Sequence, residues 1–276
     1  MEQVKTISAE LTSLIASKVS DYVALVKLRL SLMVVFSAGA TYLLGTMGAF
    51  HWPGFWMLSL GGFLVTGASN TINQMMEKDF DAMMSRTANR PLAAERMSGV
   101  EAALAAGIMG LSGLITLAVY FNPLTALISA ISLLLYSFLY TPLKRVSPIA
   151  VFIGAIPGAL PVIIGWIAAT GAPSPFMWIL FSIQFLWQFP HFWAIAWVAH
   201  EDYTRAGFKL LPSTGGRDLG MSGLYSTIGL LVAGVLFLLP AIQLFWTCSK
   251  KAALALMFGS FVYLPIALMI LLVYQF

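Results

Sequence analysis

The chain has 276 residues, 59% of them hydrophobic and 9% charged, which excludes an ordinary soluble domain, where about a quarter of residues carry charge. The apolar residues fall in blocks long enough to cross a bilayer, about 20 residues each, and the short alternating segments of a β-barrel are missing. The net charge of +4 is no sign of nucleic-acid binding, because the basic residues stand between the apolar blocks, where membrane topology accounts for them. The expected fold is all-α, a polytopic membrane helix bundle, and the single cysteine, Cys248, leaves the redox compartment unread.

Residues 1–22 mix polar and apolar side chains, include Glu2 and Glu10, and lack the pattern of a cleavable signal peptide. They read as a cytoplasmic lead-in to one transmembrane domain covering 1–276, with residues 23–29 leading into the first span and Lys27 and Arg29 at its cytoplasmic edge. Eight spans are expected, at 30–47, 55–76, 100–120, 124–140, 149–170, 176–198, 221–246 and 252–274. The loops alternate in charge. His51, Trp52 and Pro53 join the first two spans without a lysine or arginine, and the next loop carries Lys78, Arg86, Arg90 and Arg96. Asn122-Pro123 is an uncharged turn, Lys144 and Arg145 follow the fourth span, TGAPSP is again uncharged, and Arg205, Lys209 and Arg217 follow the sixth. The positive-inside rule places the charged loops and the amino terminus in the cytoplasm. Lys250 and Lys251 break this pattern: either they are external, or 221–246 does not cross once, or a span is absent.

The stretch NQMMEKDFDAMMSRTANRPL, residues 73–92, sets three carboxylates and two arginines against an apolar run. Asn73, Glu77 and Asp81 are spaced i, i+4, i+8, which stacks them on one helix face. Carboxylates a turn apart repel, and at a membrane boundary each has a desolvation cost. A cation between them resolves both problems. Oxygen ligands favour a hard divalent ion, and Mg²⁺ typically takes one or two carboxylates plus substrate phosphates. Arg86 and Arg90 are suited to bidentate phosphate contact. The expected site is therefore Mg²⁺–diphosphate at the mouth of a helix bundle; the plainer alternative, a solvated loop that sets orientation, suits Lys78 and Arg96 better.

Other polar groups gather on the same side. Tyr140, Lys144 and Arg145 are either interfacial anchors or further donors to the diphosphate. Trp187, Trp193 and Trp197 fit an interfacial belt. His191, after Pro190 in mid-span, is a packed histidine, an iron ligand or a proton acceptor. His200, Glu201 and Asp202 end that helix and could face Glu77 and Asp81. In GAIPGALPVIIGW, Gly154, Gly158 and Gly165 with Pro157 and Pro161 allow a kinked helix and close packing.

These three segments, NQMMEKDFDAMMSRTANRPL, YTPLKRVSPIAVFIGAIPGALPVIIGW and FLWQFPHFWAIAWVAHEDYTRAGFKLLP, resemble in order and spacing the UbiA superfamily of intramembrane prenyltransferases, and within it the haem-farnesylating branch. The resemblance implies farnesyl transfer from farnesyl diphosphate to a vinyl group of haem b, with water added, giving haem O, and it implies Mg²⁺ as cofactor. It implies Asn73, Glu77 and Asp81 as metal ligands, Asp202 and Glu201 in the second acidic motif, and Asp79 as the extra aspartate of the branch. Arg86, Arg90, Lys144 and Arg145 would bind diphosphate, Asp79, Asp81, Lys144 and Asp202 would serve catalysis, and Tyr140 and His191 would touch substrate. An aromatic face from Tyr140, Phe185 or Trp193 could stabilise an allylic cation. The partners implied are the bilayer, both substrates and a downstream haem-modifying enzyme, with no nucleic acid, in a bacterial inner membrane. Glu77 stands where the superfamily usually has aspartate, and Val198 lies four before Asp202 where a second aspartate would stand. The family also implies nine spans, so one is expected to be missing near Asp218, which would restore the Lys250–Lys251 pair to the cytoplasm. Prenyl transfer to an aromatic quinone precursor, an inactive shortened homologue and a cation transporter are the competing readings.

Overall fold

The structure, a computed structural model, describes residues 2–46, 48 and 51–210 together with positions 239, 243 and 246. The expected spans at 221–246 and 252–274, the missing span near Asp218 and the Lys250–Lys251 pair lie outside the described residues apart from those isolated positions. Within them the fold is all-α. Helix α1 (Glu2–Leu25) is followed by α2 (Leu28–Gly45), α3 (Trp52–Met76), the short α4 (Lys78–Ala82) and α5 (Gly99–Tyr120). Then come α6 (Pro123–Leu134), α7 (Thr141–Leu143), α8 (Ala150–Thr170), α9 (Pro175–Val198) and α10 (His200–Arg205). Among the described residues, four segments are long and apolar enough to cross a membrane: α2, α5, Pro123–Leu143 and α8. Helix α3 is not among them, because its last third, ASNTINQ, is polar and turned inward, with Asn70, Thr71, Asn73 and Gln74 all buried.

Local chemistry sets the helix ends. The His51 ring accepts from the Gly54 amide at 3.1 Å, with Pro53 in the first turn of α3. Ser98 caps α5 through the Glu101 amide, and Asn122 caps α6 through the Thr125 amide at 2.8 Å. Ahead of Pro142, which has no N–H to give, the helix between α6 and α7 widens to a π turn at Leu135–Tyr140.

The largest departure from the sequence reading is at the start. Residues 2–22 belong to a helix, α1, and it ends in a sharp break before α2. At the break Lys27 takes a left-handed conformation, φ 50° and ψ 60°. The carbonyls this frees are taken up by α3: Gln74 donates to Leu25 O at 2.7 Å and Ala24 O at 3.2 Å, and Asn70 to Val26 O at 3.1 Å. The polar run that weakens α3 as a span is thus the clamp for the α1–α2 joint, because buried backbone acceptors need donors.

Helix α8 is the centre of the described bundle. It packs against α2, α6 and α9, and Leu160, Ile163, Ile164 and Ile167 join Tyr42, Leu58, Val65 and Leu117 in the main core. It runs unbroken through Pro157 and Pro161. Its glycines are places of close approach, as small residues are between membrane helices. A Cβ at Gly165 would lie 2.0 Å from the Ala38 carbonyl oxygen and 2.3 Å from the Thr41 hydroxyl. Gly165→Ala is therefore expected to push α2 from α8 and cost about 1–3 kcal/mol, read as a lower unfolding midpoint in detergent; an unchanged midpoint would contradict this packing.

Candidate active site

One end of the bundle collects the start of α2, the end of α3, α4, the end of α7 and the stretch after α9. The expected single helix from Asn73 to Asp81 is broken at Glu77, where φ is −104° and ψ 7°. The register survives the break: the Glu77 amide donates to Asn73 O at 3.0 Å and the Asp81 amide to Glu77 O at 2.7 Å. Asn73, Glu77 and Asp81 therefore stay one turn apart, and all three are buried.

Each of the three holds a cation. The Lys27 ammonium donates to Asn73 Oδ1 at 2.7 Å, while the Asn73 amide nitrogen donates to Thr141 Oγ1 at 3.0 Å. Lys144 forms an ion pair with Glu77. Arg90 Nη1 donates to both oxygens of Asp81, at 2.8 and 2.7 Å. Burial pushes the Asp81 carboxyl up against the pull of Arg90. Burial, with Arg90 and Lys144 close by, pushes the Lys27 ammonium down to about 7. Two buried carboxylates thus face three cations, an excess of positive charge where an anion would sit.

The second acidic segment closes over this row without joining it. Asp202 accepts from the Ser85 hydroxyl at 3.1 and 3.0 Å, from the Ser85 amide at 3.3 Å and from Arg205 at 2.9 Å. Burial acts to raise its carboxyl, but the Ser85 hydroxyl and amide and Arg205 outweigh it and hold the group below its ordinary value. Glu201 is exposed at the start of α10. Next to Asp202, Tyr203 accepts from Arg86 at 3.3 Å. The Lys209 amide donates to Lys144 O at 2.7 Å, and Phe208 lies under the Lys144 ammonium, 5.3 Å from its ring centroid. Arg145 stacks over Phe80 at 4.3 Å.

Aromatic rings form one wall. Tyr140 is buried beneath Lys144, 5.0 Å from the ammonium, with Tyr136 at 5.3 Å and Phe192 at 6.0 Å between ring centroids. Its ring fills the space a Cβ at Gly154 would take. Phe185 packs instead with Phe152, Phe181 and Phe189 in the α8–α9 core. His191 is exposed and stacked on Trp187 at 4.6 Å, reaching Tyr140 only through Phe192. The side chains of Trp193 and Trp197 lie outside what is described. Asp79 is exposed and bonds to no side chain among the described residues.

The donor set fits a hard divalent ion: an amide oxygen and two buried carboxylates, one turn apart. Among the described residues no three of His, Cys, Asp and Glu gather to hold a metal. Sequence reasoning missed Lys27 as a site residue; it stands beyond the 73–92 motif and reads as a topological charge.

Residues 32–274 match the model of the UbiA prenyltransferase family, and the chain belongs to that family. Its curated relatives narrow the class. It is 46% identical to a protoheme IX farnesyltransferase of Cytophaga hutchinsonii, across 91% of this chain and 96% of the relative. It is 38% identical to that of Flavobacterium johnsoniae, across 98% and 99%. The fold resembles that of a UbiA homologue from Archaeoglobus fulgidus bound to GPP and Mg²⁺, with a TM-score of 0.61 at 18% identity, covering 91% of this chain and 99% of that one. The Cytophaga alignment runs over 274 positions yet takes in only 91% of the 276 residues here. It therefore carries gaps in this chain on the scale of one membrane span, about 20 residues.

Proposed function

We propose that this chain transfers a farnesyl group from farnesyl diphosphate to a vinyl group of haem b, with addition of water, giving haem O and diphosphate. The observation that carries the reading is the buried row Asn73, Glu77, Asp81 set against Lys27, Lys144 and Arg90 at one end of a bundle whose curated relatives are protoheme IX farnesyltransferases. The farnesyl C1–O bond breaks and its electron pair leaves with diphosphate. The terminal vinyl carbon bonds to C1, water captures the cation left beside the porphyrin ring, and a proton departs.

The chain's residues divide this work. Asn73, Glu77 and Asp81 would hold Mg²⁺, which compensates charge on the leaving group. Lys27, Lys144 and Arg90, released from the acids, would turn to the phosphate oxygens. Arg86 and Arg145 extend the same positive rim, and Asp202 holds the Ser85–Arg86 turn in place. We assign Asp79, the exposed acid of α4, to the catalytic set with Asp81, Lys144 and Asp202, and Glu201 to the rim of the metal site. Tyr140 offers an aromatic face to the allylic cation and shelters it from water. His191 serves on the haem side. The protein would act as one domain in a bacterial inner membrane, with this end in the cytoplasm, and would hand haem O to a haem-modifying enzyme.

The test is an assay of purified protein with haem b, farnesyl diphosphate and Mg²⁺, read by mass spectrometry. The expected product is haem b plus one farnesyl and one water, lost when a chelator removes the metal. Transfer only to an aromatic ring acceptor would move the chain to the quinone-precursor branch, and no transfer to any acceptor would end the enzyme reading. Lys27→Met is expected to lower the rate about 100–1,000-fold, with the fold intact by its unfolding midpoint.

A further inference from the structure

We infer that α1 lies on the bilayer surface as an interfacial helix, its apolar face in the leaflet from which α2 and α5 descend. Leu11, Leu14, Ile15 and Val19 are between 56% and 64% exposed, and Tyr22 and Val23 also stand out. At 100° per residue these side chains share one face with Lys18. Ser13, Ser17 and Ser20 occupy the opposite face. A helix of this kind, apolar on one side and polar on the other, belongs at a headgroup boundary.

Two contacts fix how the helix is turned. Lys18 donates to both oxygens of Glu101 at 3.0 and 3.1 Å, and the Tyr22 hydroxyl to Glu101 Oε1 at 3.1 Å. On the flank, Asp21 accepts from Arg96 at 2.9 Å. Glu101 sits in the first turn of α5, beside Val100, which begins an exposed stripe continued by Leu104, Ile108 and Leu111 down a membrane-length helix. The face of α1 that binds Glu101 is the face that carries Leu11, Leu14 and Ile15. Its apolar surface is therefore continuous with the lipid-facing surface of α5, and the occupant is the same bilayer. Lys18, in the middle of that face, keeps its ammonium at the boundary by reaching Glu101.

The full chain carrying Cys248→Ser and one new cysteine at a time tests this in vesicles of phosphatidylethanolamine and phosphatidylglycerol. Spin labels at Leu11→Cys and Ile15→Cys are compared with Ser13→Cys and Ser17→Cys for collision with O₂, which concentrates in lipid, and with a nickel chelate, which stays in water. The expected result is an O₂-to-nickel ratio several-fold higher at 11 and 15 than at 13 and 17, with Val19→Cys as a second reporter should either variant fail to fold. Equal ratios on both faces would overturn the inference. So would protection of 11 and 15 from both reagents, whether with label–label broadening, meaning a second copy, or without it, meaning cover by another part of the chain.

Discussion

Asp81→Asn is expected to lower prenyl transfer at least about a hundredfold, the scale seen when one electrostatic stabiliser of a developing charge is removed. Asp81 is only 1% exposed, and both its oxygens are engaged by one guanidinium nitrogen of Arg90. The substitution keeps the shape but removes the negative charge that would bind the ion. It also strands Arg90, although that side chain keeps 21% of its surface exposed and can take up water, so the stability cost should be near about 1–3 kcal/mol. The check pairs haem O yield by mass spectrometry with the unfolding midpoint. A variant that folds and turns over at the parent rate would remove Asp81 from the metal and diphosphate site.

The second large effect concerns Glu77 and Lys144, which pair with little of either side chain exposed. Lys144→Met leaves the Glu77 carboxylate buried without its partner, which costs about 3–5 kcal/mol. Glu77→Gln together with Lys144→Met removes both charges and is expected to recover most of that stability. It should not recover activity, because the double variant lacks both the acid proposed to hold the metal and the ammonium proposed to bind diphosphate. The double-mutant cycle separates the two roles. Recovery of turnover along with stability would make the pair structural; an unaffected midpoint in Lys144→Met would mean the pair does not form.

The particular residues show what could be read early. Spacing alone placed Asn73, Glu77 and Asp81 on one face, and this held even though the helix breaks at Glu77, because the i→i−4 backbone bonds bridge the break. The amphipathic pattern of α1 was present in Leu11, Leu14, Ile15 and Val19, yet the segment read as a lead-in because its polar face dilutes the hydropathy. Lys27 read as a boundary charge; its partner Asn73 is 46 residues away. Which cation meets which acid was equally hidden. Arg90 lies nine residues from Asp81, but Lys144 reaches Glu77 from another helix, carried there by the π turn before Pro142.

Composition and local periodicity by themselves determined the all-α bundle, the four described segments long and apolar enough to cross a membrane, and the row of acids, because these depend on apolar length and on a helical repeat that neighbours cannot change. Only the tertiary structure decided that Lys27 and Lys144 converge on that row and that Asp202 is held by Ser85. Those outcomes depend on how separate helices pack against α8 and on where buried acceptors find donors, and no short stretch of sequence contains both partners.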